Sequence, residues 1–429
     1  MNSHHEIPSI SRLAGPALIS TELKKKLTTD LENSLQGWWP EDLNEYLMNS
    51  YRVDVRARYA GRELANPFGK GSGQLTMTPH QISEAADAGL GFAILKTVIA
   101  QDQSGQQSMS AWAIPEARMV VEPIHAVTSG RQGWTVTWKG RGWSRSFDDY
   151  LELFSESLKI SEKSDLYVAP SVKFHLPGDL EGIWKTSEYE YVLGKLNGIW
   201  QSSSYAGQPM PIEKDFSPTL AGDDRSRHEE VIIRWLNEIL PIMRKCSPSP
   251  LKIGMKLMNA LGPIAFQERL LRHTLELNQS ADFLVYGNRL FDPGRIFEDH
   301  CGVAYGGPDL SDRNIYVLEQ CQNAIRKSKI EVSGTGDIGS GRTAVEYGMR
   351  GATSVQLHTY FQIPENDKTG SGVKRLRRKM ARLIFDPATG LVAWLLHARF
   401  NWNMINKNEM TCWLDLGQLK LDQLQSAGN

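Results

Sequence analysis

The stretch from Glu331 to Phe361, EVSGTGDIGSGRTAVEYGMRGATSVQLHTYF, constrains the fold of this chain more than any other. A β-branched run from Ile330 to Ser333 breaks at Gly334-Thr335-Gly336. The helical spacing of Ala344, Val345 and Met349 then predicts a helix over Gly341–Met349. Gly351 ends it, because a left-handed residue there carries no Cβ penalty. Thr353 to Leu357 predicts a second strand, and a helical crossover of this kind joins parallel strands. Glycines after a strand and before a helix let the backbone approach an anion, which the helix dipole and free N–H groups favour. A plain helix cap in any α/β protein has the same appearance, so the turn alone does not choose between the two.

The length of 429 residues fits one large α/β barrel with extensions, or two domains. A hydrophobic fraction of 41% supplies a sizeable core. The net charge of −1 implies no nucleic acid or other bulk polyanion as partner. Cys246, Cys301, Cys321 and Cys412 form no CxxC pair, which argues against an iron–sulfur cluster or structural zinc and fits a reducing compartment. No apolar run approaches membrane-spanning length, and MNSHHEIPS lacks a signal-peptide core. The expectation is a cytoplasmic protein with no integral membrane segment and no bound metal.

Residues 1–50 read as a helical extension, with helices predicted over Thr21 to Leu35 and Pro40 to Met48 and paired Trp38 and Trp39 between them. Packing on the main body is the plain reading. Paired tryptophans also suit a docking or membrane-surface patch. From Tyr51 to Leu64 apolar and charged residues alternate, which predicts a β-hairpin turning at Ala60-Gly61 and plugging the bottom of a barrel. ANPFGKGSG, Ala65 to Gly73, demands a backbone that turns or closely approaches something. Thr78 and Pro79 open a helix as cap and first residue. GFAILKTV, Gly91 to Val98, is an apolar strand ending on Lys96, and a lysine there is costly unless it is paired or serves a site.

NPFGKGSG, a helix and GFAILKT, in that order, resemble the opening of the dihydroorotate dehydrogenase family, whose members are FMN enzymes on a (β/α)₈ barrel. MVVEP at Met119 to Pro123 and FDDYLELF at Phe147 to Phe154 are similar to its next segments. GTGDIGSG…GAT…QLHTYF is similar to its last two strands and the phosphate site between them. The resemblance covers roughly residues 51–385, taken here as the barrel, with 386–429 as a C-terminal extension. Further strands are predicted at Leu166 to Phe174, Met210 to Phe216, Pro250 to Leu257 and Ala281 to Tyr286, with helices at Glu188 to Trp200, Arg227 to Cys246, Pro263 to Leu277, Ser311 to Arg326 and Val373 to Phe385. Counted with NPF, GFAILKT and the two strands of the opening stretch, the strands number eight, which a doubly wound sheet does not require.

The resemblance implies a role for each of several residues at the C-terminal ends of strands. Ser217, in DFSPT, is implied as the base that takes a proton from substrate carbon, although a serine needs desolvation and a proton path to do so. Lys256, in KIGMKLM, is implied to lie against the flavin pyrimidine ring and oppose the negative charge of its reduced form, with Lys96 nearby. Ser72, Gly73 and Thr97 are implied ring contacts. Gly306 and Gly307 resemble one half of the family's phosphate cradle and Gly334, Thr335 and Gly336 the other, with Thr359 close by. Asp215, Thr219 and Asn288 are the candidate substrate contacts. The chain departs from the family's pattern at Asp337 and His358, each where a glycine is usual, and in the asparagines that hold orotate. A site built for orotate loses hydrogen bonds by these changes, so dihydroorotate is not the expected best substrate. The implied activity is hydride transfer between FMN and a carbon–carbon bond beside a carbonyl in a small molecule, in a homo-oligomer or with an electron-transfer partner. The rival is a flavin-free relative acting as a binding or scaffold protein.

Overall fold

The computed structural model describes residues 7, 10–110, 119–138, 142–177, 183–216, 229–260, 263–277, 280–297, 300–365 and 372–419. Its centre is a curled, half-barrel sheet of ten parallel strands in a mixed α/β fold. The spatial order is Val98–Ile99, Ser171–Lys173, Met210–Phe216, Leu251–Leu257, Phe283–Tyr286, Glu331–Thr335, Ala352–Leu357, Phe68–Lys70, Phe92–Ile94 and Tyr167–Ala169. The two edges of the sheet come from two interrupted strands. Phe92–Ile94 pairs with Tyr167–Ala169, and their continuations Val98–Ile99 and Ser171–Lys173 pair with each other.

Each interruption has a local cause. Pro170 has no N–H to give to a ladder. At Lys96 the backbone turns out of the sheet, since its N–H bonds Thr76 O at 3.1 Å and the next carbonyl, Thr97 O, accepts from Trp143 N at 2.7 Å. The break is therefore built by the loops on either side, and it sets Lys96 at the end of an apolar run.

Helices cover the outside of the sheet. Thr78 caps Pro79–Asp87, and Ser146 and Asp149 form a capping box on Phe147–Ser161. Glu229–Cys246 buries Ile232, Trp235, Leu236, Ile239, Leu240 and Met243 along one face, as its 3.6-residue pattern requires. Tyr189 and Trp200, on Thr186–Gln201, are buried in the wall, where Tyr189 stacks on Phe174. The hairpin forms at Ala57–Tyr59 and Arg62–Leu64, with Ala60 and Gly61 both at positive φ. Tyr59 enters the sheet interior from below, stacked on Phe92.

The two extensions belong to the same core. Thr21–Leu35 packs on Arg375–Phe385, and Trp39 meets Phe385 edge-on and serves packing, whereas Trp38 lies edge-on to Tyr46 and stays exposed. Leu391–Asn401 lies on Gly341–Met349 so closely that a Cβ on Gly341 would stand 1.9 Å from Leu391 N. Val53–Asp54, expected in the hairpin, instead pairs in parallel with Thr411–Cys412. Trp413 is fully buried and donates to Thr353 O at 3.0 Å. Among the described residues no helix is long and apolar enough to cross a membrane.

Two antiparallel ribbons were not anticipated. Met119–His125 pairs with Gln132–Trp138, and Leu290–Phe297 pairs with His300–Tyr305. They meet at Gly306 N, which donates to Thr135 Oγ1 at 3.0 Å, and at Arg289 Nη2, which donates to Val136 O at 2.8 Å.

Candidate functional site

A cleft of about 420 Å³ opens at the C-terminal ends of the strands, beneath the ribbons. Such a volume lies within the range of small-molecule and cofactor sites. Of the residues anticipated from sequence, Ser72, Lys256, Asn288, Gly306, Gly307, Thr335, Gly336 and Thr359 line it. Arg131, Gln132, Trp134, Arg289, Asp337, Arg342 and His358 complete much of its wall.

The inner end is built around buried charge. Lys256 Nζ stands 3.8 Å from Glu213 Oε2, and both side chains are withdrawn from solvent. Glu213 Oε1 accepts from Tyr59 Oη at 2.7 Å and from Gln356 Nε2 at 2.5 Å. Burial still raises the Glu213 carboxyl above its ordinary range, against the pull of Lys256. Lys96 is also buried, and its amine is pushed down to about 7, first by burial and then by the charges of Lys256 and Arg289, with Asp215 opposing. Asp215 lies beside Lys256 in register at the end of its strand. The His358 imidazole is driven down to about 3 by burial and by Lys96, Arg289, Lys256 and Lys70, and is therefore neutral. Its ring lies over Gly73, where a Cβ would fall 2.3 Å from Nε2. Ser72 Oγ, Thr97 Oγ1 and Ser171 Oγ form a hydroxyl chain with 2.9 Å links.

The outer end is built from glycine backbone, two helix N-termini and arginines. Gly307 caps Pro308–Ser328 at φ 97°, and Ser340 caps Gly341–Met349. A Cβ on Gly307 would come within 2.8 Å of Ile124, and one on Gly336 within 2.9 Å of Asn314, so glycine keeps these walls close. Asn314 Nδ2 donates to Gly287 O and Thr335 O, and Tyr347 Oη donates to Thr335 O and Gly336 O, which fixes the turn. Arg131 Nη2 lies 3.5 Å from Asp337 Oδ2. Its Nε has no partner among the described residues. Asp337, at φ 50°, has its carboxyl pushed up to about 7 by burial, with Arg131 and Arg12 opposing.

Some expectations fall elsewhere. Gly334 does not line the cleft; it is tucked under the Tyr347 ring, where a Cβ would lie 2.5 Å from Cδ1. Gly73, Lys96 and Thr97 stand behind the lining residues, and Asp215 acts as a charge partner of Lys96. Ser217 and Thr219 lie outside the described residues. Glu213, Gln356, Arg131, Arg289, Arg342 and Trp134 escaped the reading from sequence. Glu213 and Gln356 carried little signal, since Met210–Phe216 also holds Lys214 and Asp215, and Ala352–Leu357 also holds Thr353 and Ser354, so neither stands out as the lone polar group of an apolar strand. The arginines and Trp134 carried none, because it is the ribbons and helix ends that bring them to the cleft.

No protein-family model matches this chain, and no curated protein matches it. The chemistry of the cleft therefore rests on its own residues.

Proposed function

We propose that the cleft is the active site of an FMN-dependent oxidoreductase, similar to the dihydroorotate dehydrogenase family, on a (β/α)₈ barrel. In support, counting each interrupted strand once gives eight strands, the number such a barrel requires, and the cleft lies at the strands' C-terminal ends. The observation that carries the reading is Lys256 at the inner end of the cleft, set against buried Glu213, with Lys96 buried behind the lining and within range of the Lys256 charge. The residue set suits the cofactor. Glycine backbone, two helix N-termini and Arg131 and Arg342 suit a phosphate, and the inner cations suit an electron-accepting ring.

Bound FMN supplies hydride acceptance or donation. The protein's own groups do the rest. Lys256 would oppose negative charge on the ring, and Ser72, which lines the cleft, would offer a polar contact to its edge. Lys96, with an amine close to neutrality, is suited to hold or release a proton beside it. Ser217 keeps its implied role at the substrate carbon. The substrate is a small molecule with a carbon–carbon bond next to a carbonyl, other than dihydroorotate.

The test is colour. Purified protein, or protein reconstituted with FMN, is expected to show the absorption of an oxidised flavin. Dihydroorotate is expected to bleach it slowly in anaerobic stopped-flow mixing, and rapid bleaching would remove the substrate assignment. The position of the His358 ring over Gly73 favours one alternative, a flavin-free binding protein. Protein that stays colourless after reconstitution supports that alternative and ends the enzyme reading.

A further inference from the structure

The segment of residues 11–18 crosses the helix Gly341–Met349 and ties it to the C-terminal extension. Arg350 Nη2 donates to Ser11 O at 3.0 Å, and Ala17 N and Leu18 N donate to Ala388 O and His397 Nδ1, each at 2.9 Å. At its centre Arg12 grips Glu346 with both prongs of the guanidinium, Nε to Oε1 at 2.8 Å and Nη2 to Oε2 at 2.7 Å. Its third nitrogen, Nη1, reaches Asp312 Oδ1 at 2.5 Å. Leu13 N adds a further bond to Glu346 Oε1 at 2.7 Å.

Both arginines of the outer cleft are held through this segment. Arg342 Nη1 donates to Gly15 O at 2.8 Å. Arg131 Nη2 lies 3.0 Å from Asp312 Oδ1, the same oxygen that Arg12 holds, and donates to Ser311 Oγ at 2.8 Å. Arg12 never reaches the cleft, yet it fixes the carboxylate against which Arg131 is set. It also balances charge. Arg12 pairs with both Asp312 and Glu346, so its loss leaves carboxylate charge less compensated beside this end. Uncompensated carboxylates at such range repel an anion, and more strongly inside a protein than in water.

We infer that Arg12, with the strap of residues 11–15, is a positioning element for anion binding in the cleft, acting on phosphate through Arg131 and Arg342. The inference rests on the reading of that end as the seat of the FMN phosphate. It adds that the N-terminal extension controls how well the phosphate is held.

Riboflavin, which lacks the phosphate, makes the test specific. Dissociation constants for FMN and riboflavin are measured on the full chain and on Arg12→Gln. The variant is expected to bind FMN roughly tenfold more weakly, as for other coupled charge networks, with riboflavin changed less than twofold. Equal loss for both ligands marks a merely structural residue and overturns the inference, as does unchanged FMN affinity. Where Arg12→Gln does not fold, Arg12→Lys carries the test. It keeps the charge but loses the two-pronged hold, and FMN is expected to weaken severalfold with riboflavin unchanged. Failure of the flavin reading is recognised separately, by wild-type protein that binds neither flavin. Inorganic pyrophosphate, followed by ³¹P NMR, then becomes the probe. Weaker pyrophosphate binding by the variant sustains the strap, and equal binding overturns it.

Discussion

Burial pushes the Asp337 carboxyl up to about 7, against the pull of Arg131 and Arg12. The folded protein therefore holds this proton more tightly than the unfolded chain, whose group titrates near 3.8. Stability from Asp337 is complete below the unfolded value and is lost as pH rises through the window from about 4 to about 7. Asp337→Asn is expected to remove that loss, so urea titrations should show its advantage over wild type growing across this window and level above it. The same change should tighten FMN binding at pH 8 and flatten its dependence on pH. Lys96 has the opposite sign. Its folded value near 7 lies below the ordinary 10.5, so its cost is greatest at and below neutrality and disappears as pH rises toward 10.5. Lys96→Met should raise the melting temperature at pH 6 more than at pH 10 while weakening flavin chemistry. Lys256→Ala should weaken flavin binding or slow flavin reduction, and a variant normal in both would strip that lysine of its assigned role. It also leaves Glu213 without its cation, so a loss of stability of about 3 kcal/mol is expected alongside.

Elements with one dominant period were legible in the sequence. Thr21–Leu35, Met210–Phe216 and Gly341–Met349 match their expected bounds, and most of the other helices and strands shift by a few residues. Each has an apolar face or run and a clear stop signal, such as Gly351 at φ 98° after the last of these. The ribbons Met119–His125/Gln132–Trp138 and Leu290–Phe297/His300–Tyr305 were not legible, because a strand pair covering a polar cleft has no continuous apolar face to mark it. The pairing of Val53 with Thr411 was hidden for another reason: local alternation signals a strand and says nothing about its partner. The site divided along the same line. Lysines at strand ends could be read, whereas arginines delivered by ribbons and helix ends could not. Close contact between helices gives a prediction at this scale. A Cβ at Gly341 would collide with backbone at Leu391 and Gly390, and backbone cannot rotate away. Gly341→Ala should therefore cost about 2 kcal/mol or more in denaturant unfolding.

Across the whole molecule, segments far apart in sequence close one core around the sheet. Trp413 is fully buried against Gly348, with its indole nitrogen bonded to Thr353 O. Trp413→Ala should therefore lower stability by about 3–5 kcal/mol, measured by urea or thermal unfolding, although it lies far along the chain from the cleft. The pairing of Val53–Asp54 with Thr411–Cys412 also bears on how the molecule comes into being. A strand laid down early in synthesis waits for a mate that leaves the ribosome only after every strand of the central sheet has been made. Until that late residue arrives, the nascent chain carries an open seam beside its hairpin, and holding that seam apart from other chains is a task for the cell's folding machinery.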